Sequence, residues 1–160
     1  MSDKLHQLNV SYVEMEDRLL LRATTRAGEE YRVWLTRRFT ILLFDVLNKA
    51  MDKKGGAVSV GSRRQTRQMF KAGALEREFE AEKTTSYPLG EAGILACMIR
   101  TGTGTKDAFH LELLPEEGRG ITLNLDQSLM YMFHNILTQG VARAGWQLYD
   151  ETSSATGKTH

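Results

Sequence analysis

The sequence predicts an α+β fold: duplicated β-β-β-α units, their antiparallel sheets packed about a pseudo-twofold axis, with a partly helical insert between them. Three observations lead there. Residues 19–48 and 109–138 superimpose without a gap at an offset of 90. Both segments run through period-two alternation, a turn glycine, a second alternation, a capping residue and a helical apolar stripe. A further alternating segment precedes each of them. One three-stranded sheet with one helix leaves much apolar area bare, whereas two such units can share a core.

Taken in order, Leu8, Val10 and Tyr12 alternate with Asn9, Ser11 and Val13 as the first strand. Leu19, Leu21 and Ala23 form the apolar side of the second, matching Phe109, Leu111 and Leu113 in the later unit. Gly28 and Gly118 occupy the turns. Tyr31, Val33 and Leu35 match Ile121, Leu123 and Leu125 on the third strands. Thr36 and Asp126 then stand where a helix N-cap is needed. Phe39, Leu42, Leu43, Val46 and Leu47 make one helical stripe; Leu129, Met132, Phe133, Ile136 and Leu137 make the other. The opening strand of the second unit is read as "ILACMIR" (94–100), followed by "TGTGTKD" as a Gly/Thr turn.

The expected organisation is a first unit over 1–50, a charged insert over 51–90, a second unit over 91–150 and a disordered tail over 151–160, one pseudo-symmetric domain overall. The insert opens with Gly and Ser and continues as "RRQTRQMFKAGALEREFEAEK". Arg63, Arg67 and Lys71 recur every four residues there and would share a helical face. Ile41–Phe44 and Leu129–Phe133 are apolar without interruption, more than a helix with one covered face requires. This predicts a homo-oligomer.

Composition excludes several classes. Hydrophobic residues make up 41% and charged residues 26% of the 160, ordinary for a globular protein. No apolar run approaches the roughly 20 residues of a membrane span, and the N-terminus lacks the pattern of a signal peptide. Cys97 is the single cysteine, so no internal disulfide can form, and a reduced cytoplasmic setting is expected. The net charge of +1 conceals a split. Residues 1–74 carry 14 Lys and Arg against 8 Asp and Glu, while residues 75–160 carry 7 against 12. Such polarity suits an anionic partner or head-to-tail association.

Signals for catalysis are weak. "TGTGTK" lacks the spacing of a phosphate loop and no helix follows it. No nucleophile elbow or dinucleotide fingerprint is present. His6, His110, His134 and His160 are scattered without a second ligand at metal spacing. His134 aligns with Phe44, so a packed histidine is expected, and Cys97 is read as a buried, inert thiol in an apolar strand. The expectation is a non-enzyme without catalytic residues, metal or cofactor.

The outer face of the first sheet is the stronger signal. With Tyr31, Val33 and Leu35 inward, Arg32 and Trp34 point outward, and Leu20 and Arg22 share that face. Arg37 and Arg38 follow directly. A ring flanked by cations is what sequence-tolerant single-strand binding needs, because bases stack while cations follow the phosphates. The candidate site is therefore Trp34, Arg22, Arg32, Arg37 and Arg38, assisted by Arg63, Arg64, Arg67 and Lys71 of the insert. The competing reading has Trp34 covered by the insert, its indole edge against Phe70 or Phe79. The equivalent face of the second unit carries His110, Glu112, Thr122 and Asn124 instead.

At Glu30–Arg38, "EYRVWLTRR" resembles short uncharacterised proteobacterial proteins with an E-[YF]-R-[LVF]-W-L-T-R-R segment, a likeness that implies no activity. The duplicated sheet-and-helix order is similar to the Whirly and PUR-repeat families, single-strand nucleic-acid binders with four strands per repeat where three are read here. The expected function is a non-enzymatic binding module for single-stranded DNA or RNA. The alternative is a protein-interaction or assembly module, and a small enzyme ranks third.

Overall fold

A computed structural model describes residues 5–55 and 84–148. In chain order they form β1 (Leu5–Val13), β2 (Arg18–Thr25), β3 (Glu30–Leu35), α1 (Arg37–Gly55), β4 (Ile94–Leu95), β5 (Met98–Thr103), β6 (Phe109–Leu114), β7 (Ile121–Leu125) and α2 (Gln127–Ala144). The class is α+β, with two largely antiparallel sheets and two helices. Helix α1 runs on through Met51–Gly55, so the first residues read as insert are helical. Arg63, Arg64, Arg67, Lys71, Phe70, Phe79 and the 151–160 tail lie outside the described residues.

The local chemistry explains the element ends. Gly28 and Gly118 take φ values of 87° and 98° in the β2–β3 and β6–β7 turns, a region that side chains with a Cβ disfavour. Thr36 Oγ1 accepts from the Phe39 N–H at 3.1 Å and opens α1. Asp126 Oδ1 accepts from the Leu129 N–H at 2.8 Å and opens α2. Gly145, at φ 69°, closes α2 in the left-handed conformation.

The first sheet has strand order β1-β2-β3-β4 and the second β5-β6-β7. The strands pair antiparallel except β3 with β4, which is parallel, as is the isolated bridge between Glu29 and Ser86. Inward residues of both sheets, among them Leu19, Leu21, Val33, Leu35, Leu111, Leu113, Leu123 and Leu125, are buried in one core with Leu43, Leu47, Phe133 and Leu137 of the helices. Helix α2 crosses back over the first sheet and packs on β1 and β2. Gly140 makes that approach possible: a Cβ built there would stand 2.7 Å from Val10 Cγ1 and 3.4 Å from Leu19 Cδ2. The helices also meet each other. The rings of Phe44 and His134 lie edge to face at 5.2 Å, and His134 Nε2 is 2.9 Å from Asn48 Oδ1. His134 is thus a packed, hydrogen-bonded histidine, as its alignment with Phe44 suggests.

One expected strand is divided. "ILACMIR" does not run as a single strand in the second sheet. Ile94 and Leu95 pair with Val33 and Trp34, and the Ala96 N–H donates to Trp34 O at 3.0 Å. One residue later the Cys97 N–H donates to Leu114 O at 2.7 Å, and Met98–Thr103 pair with β6. The segment therefore belongs to both sheets in succession. Cys97 falls at the change-over and is exposed, which corrects the reading of a buried thiol. Strand β5 also takes up Thr101–Thr103, so the turn shrinks to Gly104–Ala108 around a short 3-10 segment.

Candidate functional site

Period-two alternation on β3 does what the sequence predicts: Tyr31, Val33 and Leu35 are buried, while Arg32 and Trp34 are half-buried on the opposite face. Interstrand register then arranges that face in two rows. One row reads Asn9, Arg22, Arg32 across β1, β2 and β3; the next reads Ser11, Leu20, Trp34, Leu95 across β1 to β4. The first is polar and cationic, the second mostly apolar. Four large hydrophobics are exposed among the described residues: Met15 in the β1–β2 hairpin, Leu42 on α1, and Leu95 and Met98, 36% and 47% accessible, where the chain passes from the first sheet to the second.

The arginines are not loose cations. Arg32 Nε pairs with the fully buried Glu30 carboxylate, and its other arm donates to Glu91 O at 2.8 Å. Its guanidinium lies 4.7 Å from the centroid of the Tyr87 ring. Arg22 donates to Asn9 Oδ1 at 3.0 Å. Burial pushes the Arg22 guanidinium below its ordinary pKa, the nearby Glu30 charge opposes that shift, and Arg32 adds to it. Glu30 also accepts from Thr84 Oγ1 at 3.0 Å. The segment 84–93 thus forms a strap along β3, joined to it by the Glu30 N–H to Ser86 O bond of 2.9 Å. At Gly93 the strap runs so close that an added Cβ would stand 2.6 Å from Arg32 O.

The Trp34 indole N–H donates to Ala92 O at 2.8 Å, so the edge of the ring is held by the strap. Its expected cover, Phe70 or Phe79, lies outside the described residues. Arg38 is exposed at the start of α1. Arg37 goes elsewhere: its guanidinium donates to Gln147 O at 2.6 Å, beyond the end of α2. There it joins a separate cluster in which Asp17 accepts from Tyr12 Oη at 2.6 Å and from Trp146 Nε1 at 3.2 Å. Of the five predicted residues among those described, the fold brings Arg22, Arg32 and Trp34 together and commits Arg37 to the C-terminal segment.

Sequence reasoning missed Glu30, Tyr87 and Leu95. Glu30 was discoverable, since it lies two residues before Arg32 and shares its face. The carbonyls of Glu91 and Ala92 carry no residue-type signal. On the second sheet, Arg100 lies 3.8 Å from Glu112, and His110 Nδ1 is 3.1 Å from Asn124 Oδ1, a polar face without an aromatic platform. Among the described residues no helix is long and apolar enough to cross a membrane. Comparison with protein-family models, with curated proteins and with solved structures returned no match.

Proposed function

We propose that the chain is a non-enzymatic binding module whose working surface is the outer face of the first sheet, and that it docks a protein there. The observation that carries this reading is the apolar row Leu20, Trp34, Leu95, with the exposed Met98 three residues further along the chain and arginines already tied to protein acceptors beside it. An aromatic anchor among aliphatic side chains with an arginine rim is the composition of interface hot spots. A single-stranded DNA or RNA partner is the second reading, favoured by Arg22 and Arg32 standing side by side next to the Trp34 ring. The pseudo-twofold relation of the two β-β-β-α units belongs to the same proposal. It is supported by Phe44 and His134, equivalent positions that touch each other between the helices.

The experiment compares wild type with Leu95→Glu and Trp34→Ala, checking that both variants keep the wild-type circular dichroism spectrum. Labelled single-stranded oligonucleotides are titrated across a salt series, and partners crosslinked through a photoreactive residue at Met98 are identified. A specific protein crosslink that Leu95→Glu abolishes supports docking. Oligonucleotide binding that falls steeply with salt and is weakened by Trp34→Ala moves the conclusion to nucleic acid. Neither behaviour in the wild type overturns the surface assignment.

A further inference from the structure

Between the two helices lies a cavity of about 400 Å³, lined by Phe44 and Asn48 of α1, His134, Thr138 and Val141 of α2, and Leu148 beyond its end. That volume falls in the range of small-molecule sites, about 300–1,000 Å³. Phe44, Val141 and Leu148 make its walls largely carbon, and no carboxylate, ammonium or guanidinium lines it. Two neutral polar side chains accompany the histidine. Asn48 Oδ1 meets His134 Nε2 at 2.9 Å, which leaves the Asn48 amide nitrogen as a donor. The Thr138 hydroxyl donates to His134 O at 2.8 Å and keeps its lone pairs for a second bond.

Leu148 reaches the cavity on a short segment fastened at two points outside it. Gly145 turns the chain out of α2 in the left-handed conformation. Trp146 Nε1 then donates to Asp17 Oδ1 at 3.2 Å, and its ring lies 6.0 Å from that of Tyr12. Arg37 donates to Gln147 O at 2.6 Å. Both hydrogen bonds are exposed, so they belong with the contacts that open locally, whereas α2 itself is fixed on β1 through the buried Val10 and Gly140. We propose that the cavity takes a small uncharged aromatic molecule bearing a hydroxyl group, and that residues 145–148 are its lid, latched by Asp17 and Arg37. A lining without charge offers an ionic ligand nothing to offset its desolvation. A rigid ring loses less freedom on binding than a flexible chain does, and it can set its edge against Phe44. Asn48 and Thr138 supply the partners for the hydroxyl. This inference goes beyond the docking proposal, uses none of that surface, and stands or falls separately from it.

The test titrates naphthol into the full chain and, in parallel, naphthoate, which carries a charge on the same ring system. Methyl NMR signals of Thr138, Val141 and Leu148 report the site. Saturable naphthol binding that shifts these signals is expected, with naphthoate weaker by at least about tenfold. Val141→Trp fills the cavity and abolishes binding. Leu148→Ala, beyond the last helix and harmless to folding, weakens it. Arg37→Met combined with Trp146→Phe removes both latch bonds without touching a lining side chain, so bound naphthol exchanges about tenfold faster. No saturable binding of naphthol, equal binding of naphthoate, or binding indifferent to both Val141→Trp and Leu148→Ala overturns the site. Exchange unchanged in the latch variant overturns the lid.

Discussion

Replacing Gly140 with alanine sets two effects of known sign against each other. Within a helix, Gly→Ala is worth about 1 kcal/mol in favour of folding. At position 140 the new methyl would stand 2.7 Å from Val10 Cγ1, against an ordinary carbon contact of about 3.5–4.0 Å. Val10 is 3% exposed and its branched side chain is restricted at χ1, so it has little room to swing aside. Overpacking of this size costs about 1–3 kcal/mol. The steric term wins, and Gly140→Ala is expected to lose about 1 kcal/mol net, a fall of about 2–4 °C in midpoint for a chain of this size. The double-mutant cycle with Val10→Ala gives the sharper number. Val10→Ala alone costs about 2 kcal/mol through lost burial and a cavity. Added to it, Gly140→Ala becomes stabilising by about 1 kcal/mol, since the methyl now enters the vacated space. The coupling is therefore favourable by about 2 kcal/mol, read from urea denaturation followed by circular dichroism. If Gly140→Ala stabilises the wild type by its full propensity, and Val10 makes no difference, α2 does not lie on β1 in the way described.

Other consequences are open to direct measurement. Glu30→Ala leaves Arg32 without its buried counter-charge and Thr84 without its acceptor, so a loss of about 3 kcal/mol is expected in chemical denaturation; an unchanged midpoint contradicts the strap geometry. The Tyr12–Asp17 bond sets a pH window. The Tyr12 and Trp146 donors hold the Asp17 carboxyl below its ordinary value, so its stabilisation is present above the unfolded carboxyl pKa and lost as pH falls through the lower folded one. The same bond, with burial and the Asp17 charge, raises Tyr12; that contribution is full below the unfolded phenol pKa and disappears as pH rises through the raised one. Asp17→Asn should bring the Tyr12 titration, followed by NMR, back toward that of an ordinary tyrosine. Cys97 is expected to react with a thiol reagent in the native state at a rate unaffected by mild denaturant, because no opening is needed to reach it; a rate that tracks unfolding refutes its exposure.

Much of the scaffold is readable from residue order because strands, turns and caps are local. Leu19, Leu21, Tyr31 and Val33 announce their face by spacing alone, and Thr36 and Asp126 announce helix starts through their own hydroxyl and carboxylate. The division of residues 94–103 between two sheets is not local. An apolar run such as "ILACMI" satisfies either partner equally well, and the choice is made by where β3 and β6 lie in space. The return of α2 onto β1 escapes sequence reading for the same reason, apart from the faint trace of Gly140 inside a helix. At the candidate site the alternation placed Arg22, Arg32 and Trp34 on one face. It gave no warning that Arg37, three residues after Trp34, would be drawn away by a backbone carbonyl at Gln147, since every residue offers that same group.

The packing of α2 on β1 also constrains how the chain comes into being. Synthesis delivers β1, β2 and β3 early, yet the helix that covers Val10 and Leu19 occupies residues 127–144. While the nascent polypeptide grows, the apolar side of the first sheet waits without the helix that covers it. Neither half can reach its native state ahead of the other, and contacts spanning most of the chain must close together, a topology that folds slowly. A ribosome-bound intermediate of this kind is a client for chaperones. Residues 127–144 therefore follow every strand that they cover, and the apolar side of the first sheet is closed only when they dock.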